Sequence, residues 1–409
     1  VSKSRKGGKL TELASSGLIG PVNDLLWHNG KLFISHRTKI SVMERSGAIV
    51  DVLSGLPSEG DHHNNQLAAG QDGRLYVGQG TFTNSGVVGP DNARMGWLAE
   101  HPDLHDVPPV DLALRGRSFE SENPLAANSQ QVSTSAFSPF GRHTLRTHVV
   151  EGQVKSNGTI LSFKSDGSDL KVHAWGFRNP YGIIFSGDGR LFATENGFDV
   201  RGSRPIANDP EDLYIVKQGA WYGWPDYAAG IPVTDPQSKP KNGPTPEFLM
   251  VEHPPVEKPI ATFPKHSAVT KLDVAPKGSF GFQDQLFIAF FGHMTPVTGT
   301  APEQHGGHRV IRFDPATGKT EEFFAMKSSH GHGEDSTNEG TKGSQSTKSE
   351  EGKGGGRFVD VRFSRDGSKM YVVDFGKMEV TEAGPKPHRR TGVVWEITRK
   401  KGRAQTSNQ

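Results

Sequence analysis

Two short polar runs each precede an apolar strand segment, and both carry residue types that move protons or hold anions. The first is Asp61-His62-His63-Asn64-Asn65-Gln66, ahead of Leu67-Ala68-Ala69. Polar residues at the entrance of a channel-lining strand face a cavity rather than core. An imidazole titrating near neutrality can take a hydroxyl proton there, which is what alcohol oxidation asks of a general base. His62 is favoured over His63, and a hydrogen-bonded loop pair is the competing reading. The second run is Trp175-Gly176-Phe177-Arg178-Asn179-Pro180-Tyr181-Gly182. The planar fork of Arg178 suits a carboxylate, and Asn179 adds one donor and one acceptor, so the pair suits an anionic, oxygen-rich ligand. Downstream lie Glu195-Asn196-Gly197, Glu211-Asp212-Leu213 and Trp221-Tyr222-Gly223-Trp224-Pro225.

The elements that must position these residues repeat along the chain. A polar turn followed by a short apolar strand occurs at Asn29-Gly30-Lys31-Leu32-Phe33-Ile34, Asp72-Gly73-Arg74-Leu75-Tyr76-Val77 and Asp188-Gly189-Arg190-Leu191-Phe192-Ala193, with weaker copies at 283–288 and 366–372. Glycine after Asp or Asn supplies the positive φ of a tight hairpin. Strands precede and follow several copies, which makes each unit a four-stranded propeller blade. Five units are visible. Insertions at about 81–152 and 328–356 account for their uneven spacing, the second being polar, glycine-rich and unable to order itself. The expectation is one all-β propeller domain over 1–400 with a flexible tail at 401–409.

Among 409 residues, 47 basic against 45 acidic side chains leave a net charge of +2, too weak a field to capture nucleic acid or an anionic membrane. The absence of cysteine removes disulfides, thiolate metal sites and cysteine nucleophiles together. No apolar stretch approaches the roughly 20 residues that span a bilayer. His305, His308, His330 and His332 read as solvated loop histidines rather than a metal site, and no signal peptide is visible.

Gly-Phe-Arg-Asn-Pro-Tyr-Gly, then Glu-Asn-Gly, Glu-Asp-Leu and Trp-Tyr-Gly-Trp-Pro, with the late Gly356-Arg357-Phe358-Val359-Asp360-Val361, resemble the signature of the sorbosone/glucose dehydrogenase family. The resemblance implies a six-bladed β-propeller of four-stranded antiparallel blades, holding pyrroloquinoline quinone in its mouth with calcium beside it. It implies oxidation of an aldose or sugar aldehyde by hydride transfer to the quinone, an electron acceptor of unspecified kind, and a periplasmic or secreted location. By the same resemblance His62 matches the base, while Arg178, Asn179 and Arg357 match cofactor-binding residues. His266 and Ser267 fall in a cofactor-contacting loop, and Gly197 and Phe198 fall where backbone carbonyls ligate calcium. Thr81 departs from the pattern by standing where better-known members orient the base with an aspartate, and Val359 replaces a second cofactor arginine. Two other functions suit the same fold: a metal-dependent lactone hydrolase using Glu195, Asn196 and a channel aspartate, or a propeller that binds carbohydrate or a partner without chemistry.

Overall fold

The computed structural model describes residues 16–126, 130–299, 307–326, 355–381 and 384–399. The tail 401–409, His305, His330, His332 and nearly all of the 328–356 insertion lie outside these residues. Among the described residues, no helix is long and apolar enough to cross a membrane.

Among the described residues, five antiparallel sheets form the propeller blades. Blade 1 holds Val22–His28, Lys31–His36, Lys39–Met43 and Ile49–Leu53 in sequence order. Blade 2 begins with Asn64–Ala69 and Leu75–Gln79 and is completed, after the long insertion, by Thr159–Phe163 and Lys171–Trp175. Blade 3 is Pro180–Phe185, Leu191–Glu195, Glu211–Val216 and Ala261–Phe263. Blade 4 runs from Val269–Val274 to Lys319–Ala325, and blade 5 pairs Phe358–Phe363, Lys369–Asp374 and Val393–Thr398.

The all-β propeller is as expected, and the expected count of six four-stranded blades is not confirmed among the described residues. Each of the five sequence units becomes one blade, the fifth has three strands among the described residues, and the insertion folds into smaller elements. Its hairpin Ser118–Glu122/Gln131–Ser135 and the pairing of Leu112–Leu114 with His148–Val150 carry buried apolar side chains onto the Trp221–Trp224 segment. Leu112, Leu114 and Phe137 there are buried, so this part of the insertion packs onto the propeller body.

Alternation along the strands sends one face of each blade into the next. Phe33, Leu67, Val77 and Phe163 fill the seam of blades 1 and 2, and Phe192, Leu213, Leu272 and Phe290 that of blades 3 and 4. The turn glycines adopt the positive φ that their positions demand: 76° at Gly30, 77° at Gly73 and 86° at Gly189. Inner strands of consecutive blades pack side by side from blade 1 to blade 5. In the channel Lys271 of blade 4 bonds Asp24 of blade 1 at 2.9 Å and Asp360 of blade 5 at 3.2 Å, and Arg362 of blade 5 also reaches Asp24. The ring of inner strands is therefore tied across its last junction by charge.

Candidate active site

Both polar runs arrive at one mouth of the channel because each precedes an inner strand, Asn64–Ala69 in blade 2 and Pro180–Phe185 in blade 3. They share a cavity of about 890 Å³ with the loop after Leu191–Glu195, the His266 turn and residues 291–299. The short helix Pro90–Arg94, from the insertion, supplies another wall.

His62 lines this cavity. Its Nδ1 lies 2.9 Å from the Thr81 carbonyl and 3.2 Å from the Thr81 hydroxyl, which itself donates to the Thr83 carbonyl. A carbonyl can only accept, so Nδ1 carries the proton and Nε2 is left with its lone pair. Burial, then the nearby charges of Arg178 and Arg201, push the imidazole well below its ordinary pKa. The ring is neutral at pH 7 and available as a base. His63 instead turns Nδ1 to the Ser58 carbonyl and packs edge-on against Trp97, its pKa lowered to about 4 by burial.

Arg178 also lines the cavity, but its donors are engaged inside the protein. Nε donates to the carbonyl and side-chain oxygens of Asn84, and Nη2 pairs with Asp199 at 2.8 Å. Asn179 accepts from Asn65 Nδ2 and donates to Asn196 Oδ1, both at 2.8 Å. The backbone N–H groups of Arg178 and Asn179 converge on Glu195 Oε1. Burial raises the Glu195 carboxyl to about 8, and the residue faces a small pocket behind the site, not the main cavity. The cation role considered for Glu195 in a hydrolase therefore loses its geometry. Among the described residues, no three His, Asp or Glu side chains converge as a metal-ligating group.

His266 is held at a φ of 58° with Nδ1 3.3 Å from Asp199, and it lines the cavity. Ser267 is buried with its hydroxyl unpartnered. Gly197 borders the cavity, whereas the Phe198 ring packs into the core and its N–H donates to Asp209. Arg357 lies over the Phe291 ring and donates to the carbonyls of Phe291 and His293, so it braces the 291–299 wall. His308, expected in a solvated loop, is half-buried behind Gly292, with its pKa lowered to about 4 by burial and by Arg357.

The residues that the sequence did not single out are Asp91, Asp199 and Arg201. Arg201 bonds Asp61 at 2.6 Å, Asp91 at 2.5 Å and Asp199 at 3.1 Å, all nine-tenths buried or more. Burial alone would raise Asp199, but Arg178, a hydrogen bond from His266 and Arg201 outweigh it and hold the carboxyl below the usual range. Burial likewise raises Asp61, to about 6, against the pull of Arg201. Only the adjacency of Asp61 to His62 hinted at this cluster.

Does the cavity suit the implied cofactor? It is roomy enough for a planar polar molecule together with a sugar. It offers Asn179, Asn196, His266 and the buried, unpartnered Thr298 hydroxyl as neutral polar groups. Arg94, Arg178 and Arg201 supply positive charge, the last two partly neutralised by aspartates. The lining thus combines neutral donors with arginines partly offset by aspartates, a donor set compatible with the oxygens and carboxylates of a quinone.

Residues 138–305 match the model of the glucose/sorbosone dehydrogenase family, the same family that the motifs resemble. This span contains Arg178, Asn179, Gly197, Phe198 and His266. Among curated proteins, quinoprotein glucose dehydrogenase B of Acinetobacter calcoaceticus is 22% identical over 179 residues, which are 44% of this chain and 29% of that protein. The match thus spans less than a third of that relative's length. Two solved structures are also similar. The PQQ-bound form of aldose sugar dehydrogenase from Streptomyces coelicolor is 15% identical, with coverage of 95% and 96% of the two chains and a TM-score of 0.39. A carbohydrate-active enzyme of Trichoderma reesei, in its calcium structure, is 14% identical, with coverage of 90% and 81% and a TM-score of 0.46.

Proposed function

We propose that this propeller is a quinoprotein dehydrogenase oxidising an aldose or related sugar aldehyde at the cavity beside His62. The observation that carries the reading is the His62 ring, with Nδ1 committed to the Thr81 carbonyl, in a cavity that Arg178 and Asn179 also line. Pyrroloquinoline quinone, when bound, supplies a hydride acceptor, and calcium a Lewis acid. His62 Nε2 takes the proton of the sugar hydroxyl, and its low basicity keeps it free of protons through the neutral range. Asn179 and Asn196 would orient the cofactor's oxygens, and the backbone carbonyls of Gly197 and Phe198 would hold the cation. Arg178 acts mainly through Asp199, His266 lines the cavity beside Asp199, and Arg357 stiffens the wall. A periplasmic or secreted location and a separate electron acceptor belong to the same proposal.

The test is calorimetric titration with pyrroloquinoline quinone, with and without calcium, followed by aldose turnover in His62→Ala and His63→Ala. His62→Ala should lower turnover by roughly 10² to 10⁴ with quinone affinity intact. Full turnover in that variant removes His62 as the base, and no quinone binding with calcium removes the cofactor.

A further inference from the structure

His62 has no carboxylate on Nδ1, so its orientation must come from elsewhere. Among the described residues its ring is anchored through Thr81, and its backbone N–H donates to the same Thr81 carbonyl. The preceding residue is much more firmly held. Asp61 donates its N–H to the Phe82 carbonyl, accepts from Asn92 Nδ2 at 3.0 Å and pairs with Arg201 at 2.6 Å. Asn92 belongs to the wall helix Pro90–Arg94, as does Asp91, the second carboxylate on Arg201. One guanidinium therefore joins the turn carrying the base, the helix from the insertion and the loop beyond Glu195.

The packing leaves little slack. A Cβ on Gly80 would lie 2.3 Å from the His62 Cβ, and one on Gly202 would lie 2.8 Å from Asp91 Oδ1. Arg201 is 9% exposed, and its partners Asp61, Asp91 and Asp199 are 1%, 8% and 10% exposed. A buried fork between three carboxylates holds its geometry, because freeing any arm strands a charge away from water.

We propose that Arg201 is a positioning residue for the base: by clamping Asp61 to the wall helix and to Asp199, it fixes the His62 ring in its Nδ1-protonated tautomer. The inference rests on the reading of His62 as base. The charged and titratable groups around the ring are Asp61 on its own turn, Asp91 on the helix, Asp199 and Arg201 on the following loop, Arg178, and His266 across the cavity.

The test uses the protein free of cofactor as well as loaded. Nitrogen–proton correlation spectra of the imidazoles, assigned with His62→Ala, report the tautomer of His62 and the solvent protection of its Nδ1 proton. Arg201→Met should replace the single tautomer by a mixture and lose that protection. In the loaded protein it should lower kcat by about 10- to 100-fold with little change in KM, as expected for a misplaced base. Arg201→Lys restores charge without the fork and should recover only part of the order. Should Arg201→Met fail to fold, Asp91→Asn cuts the helix arm alone and should give a smaller effect of the same kind. A His62 that keeps one protected tautomer in a folded Arg201→Met or Asp91→Asn protein overturns the clamp. Because the spectra are read without turnover, loss of tautomer order in Arg201→Met supports the clamp even if His62→Ala were to keep full activity and so overturn the base assignment.

Discussion

Lys271→Met should destabilise the propeller through the charge it strands. In the channel, Lys271 and Arg362 face Asp24 and Asp360, two positive charges against two negative, at 2.9 to 3.2 Å. Asp24 also accepts from the Leu67 backbone N–H at 2.8 Å, so one carboxylate serves blades 1, 2, 4 and 5. Methionine keeps most of the lysine stem and its packing, which isolates the loss of charge. Breaking a buried pair by removing one partner costs about 3–5 kcal/mol. The lower end applies here, because Arg362 is 29% exposed and water can approach the remaining partners. Unfolding entropy of about 2.1 cal/mol/K per residue gives ~0.9 kcal/mol/K for a chain of 409 residues, so a loss of ~3 kcal/mol lowers Tm by about 3.5 °C.

Scanning calorimetry of the single variants Lys271→Met and Asp24→Asn and of the double variant gives the coupling directly. The double variant should lose less than the sum of the singles. Asp24 adds a pH signature. Burial alone would raise its carboxyl, but Lys271 and Arg362 outweigh burial and hold it below the ordinary value. Its contribution is complete above the unfolded value of about 4 and disappears as pH falls through the lower folded value. Lys271→Met should therefore flatten the acid limb of stability. A Tm within 1 °C of the parent, with an unchanged acid limb, refutes the idea that charge ties the ring together.

Asp199→Asn releases Arg178 and Arg201 from a shared carboxylate and should tighten quinone binding about tenfold in calorimetric titration; unchanged or weaker binding would show that the arginines do not limit affinity. Burial raises Glu195 to about 8 and Asp106 to about 7, so both keep their protons in the folded state after the unfolded chain has lost them near pH 4. Stability from these groups falls as pH rises from 5 to 8, and Tm at pH 8 should lie below that at pH 5 and recover partly in Asp106→Asn. A Tm that rises across this interval contradicts the assignment.

The blades were legible because hairpin glycines and strand alternation are local properties. Gly30, Gly73 and Gly189 mark their turns without reference to the rest of the fold. The packing of the insertion was not legible because its apolar residues are thinly spread. Leu112, Leu114 and Phe137 become core only by meeting Trp221, Val233 and Leu249 from a distant segment. His62, Arg178 and Asn179 were legible for the same reason as the blades, each lying next to an inner strand. Their partners were not: Arg201 lies 140 residues from Asp61 and 110 from Asp91. No local pattern announces a network assembled over such separations.

The departure at Thr81 and the arginine network describe one electrostatic arrangement. Thr81 is fully buried, and the two residues after it already supply an N–H and a hydroxyl to Asp106, whose carboxyl burial raises to about 7. Asp61 and Asp199 near His62 share Arg201 with Asp91. An aspartate at 81 would add another carboxylate to a region where burial has already lifted Asp61 and Asp106, with no further arginine to receive it. Such a group would tend to hold a proton and lose the charge that makes an aspartate useful behind an imidazole. A neutral carbonyl at Thr81 orients Nδ1 without that penalty, but gives the ring less basicity than a carboxylate would. If His62 is the base proposed above, the arrangement exchanges strength of the base for a fixed direction of its lone pair, and the proposed clamp makes that direction depend on Arg201.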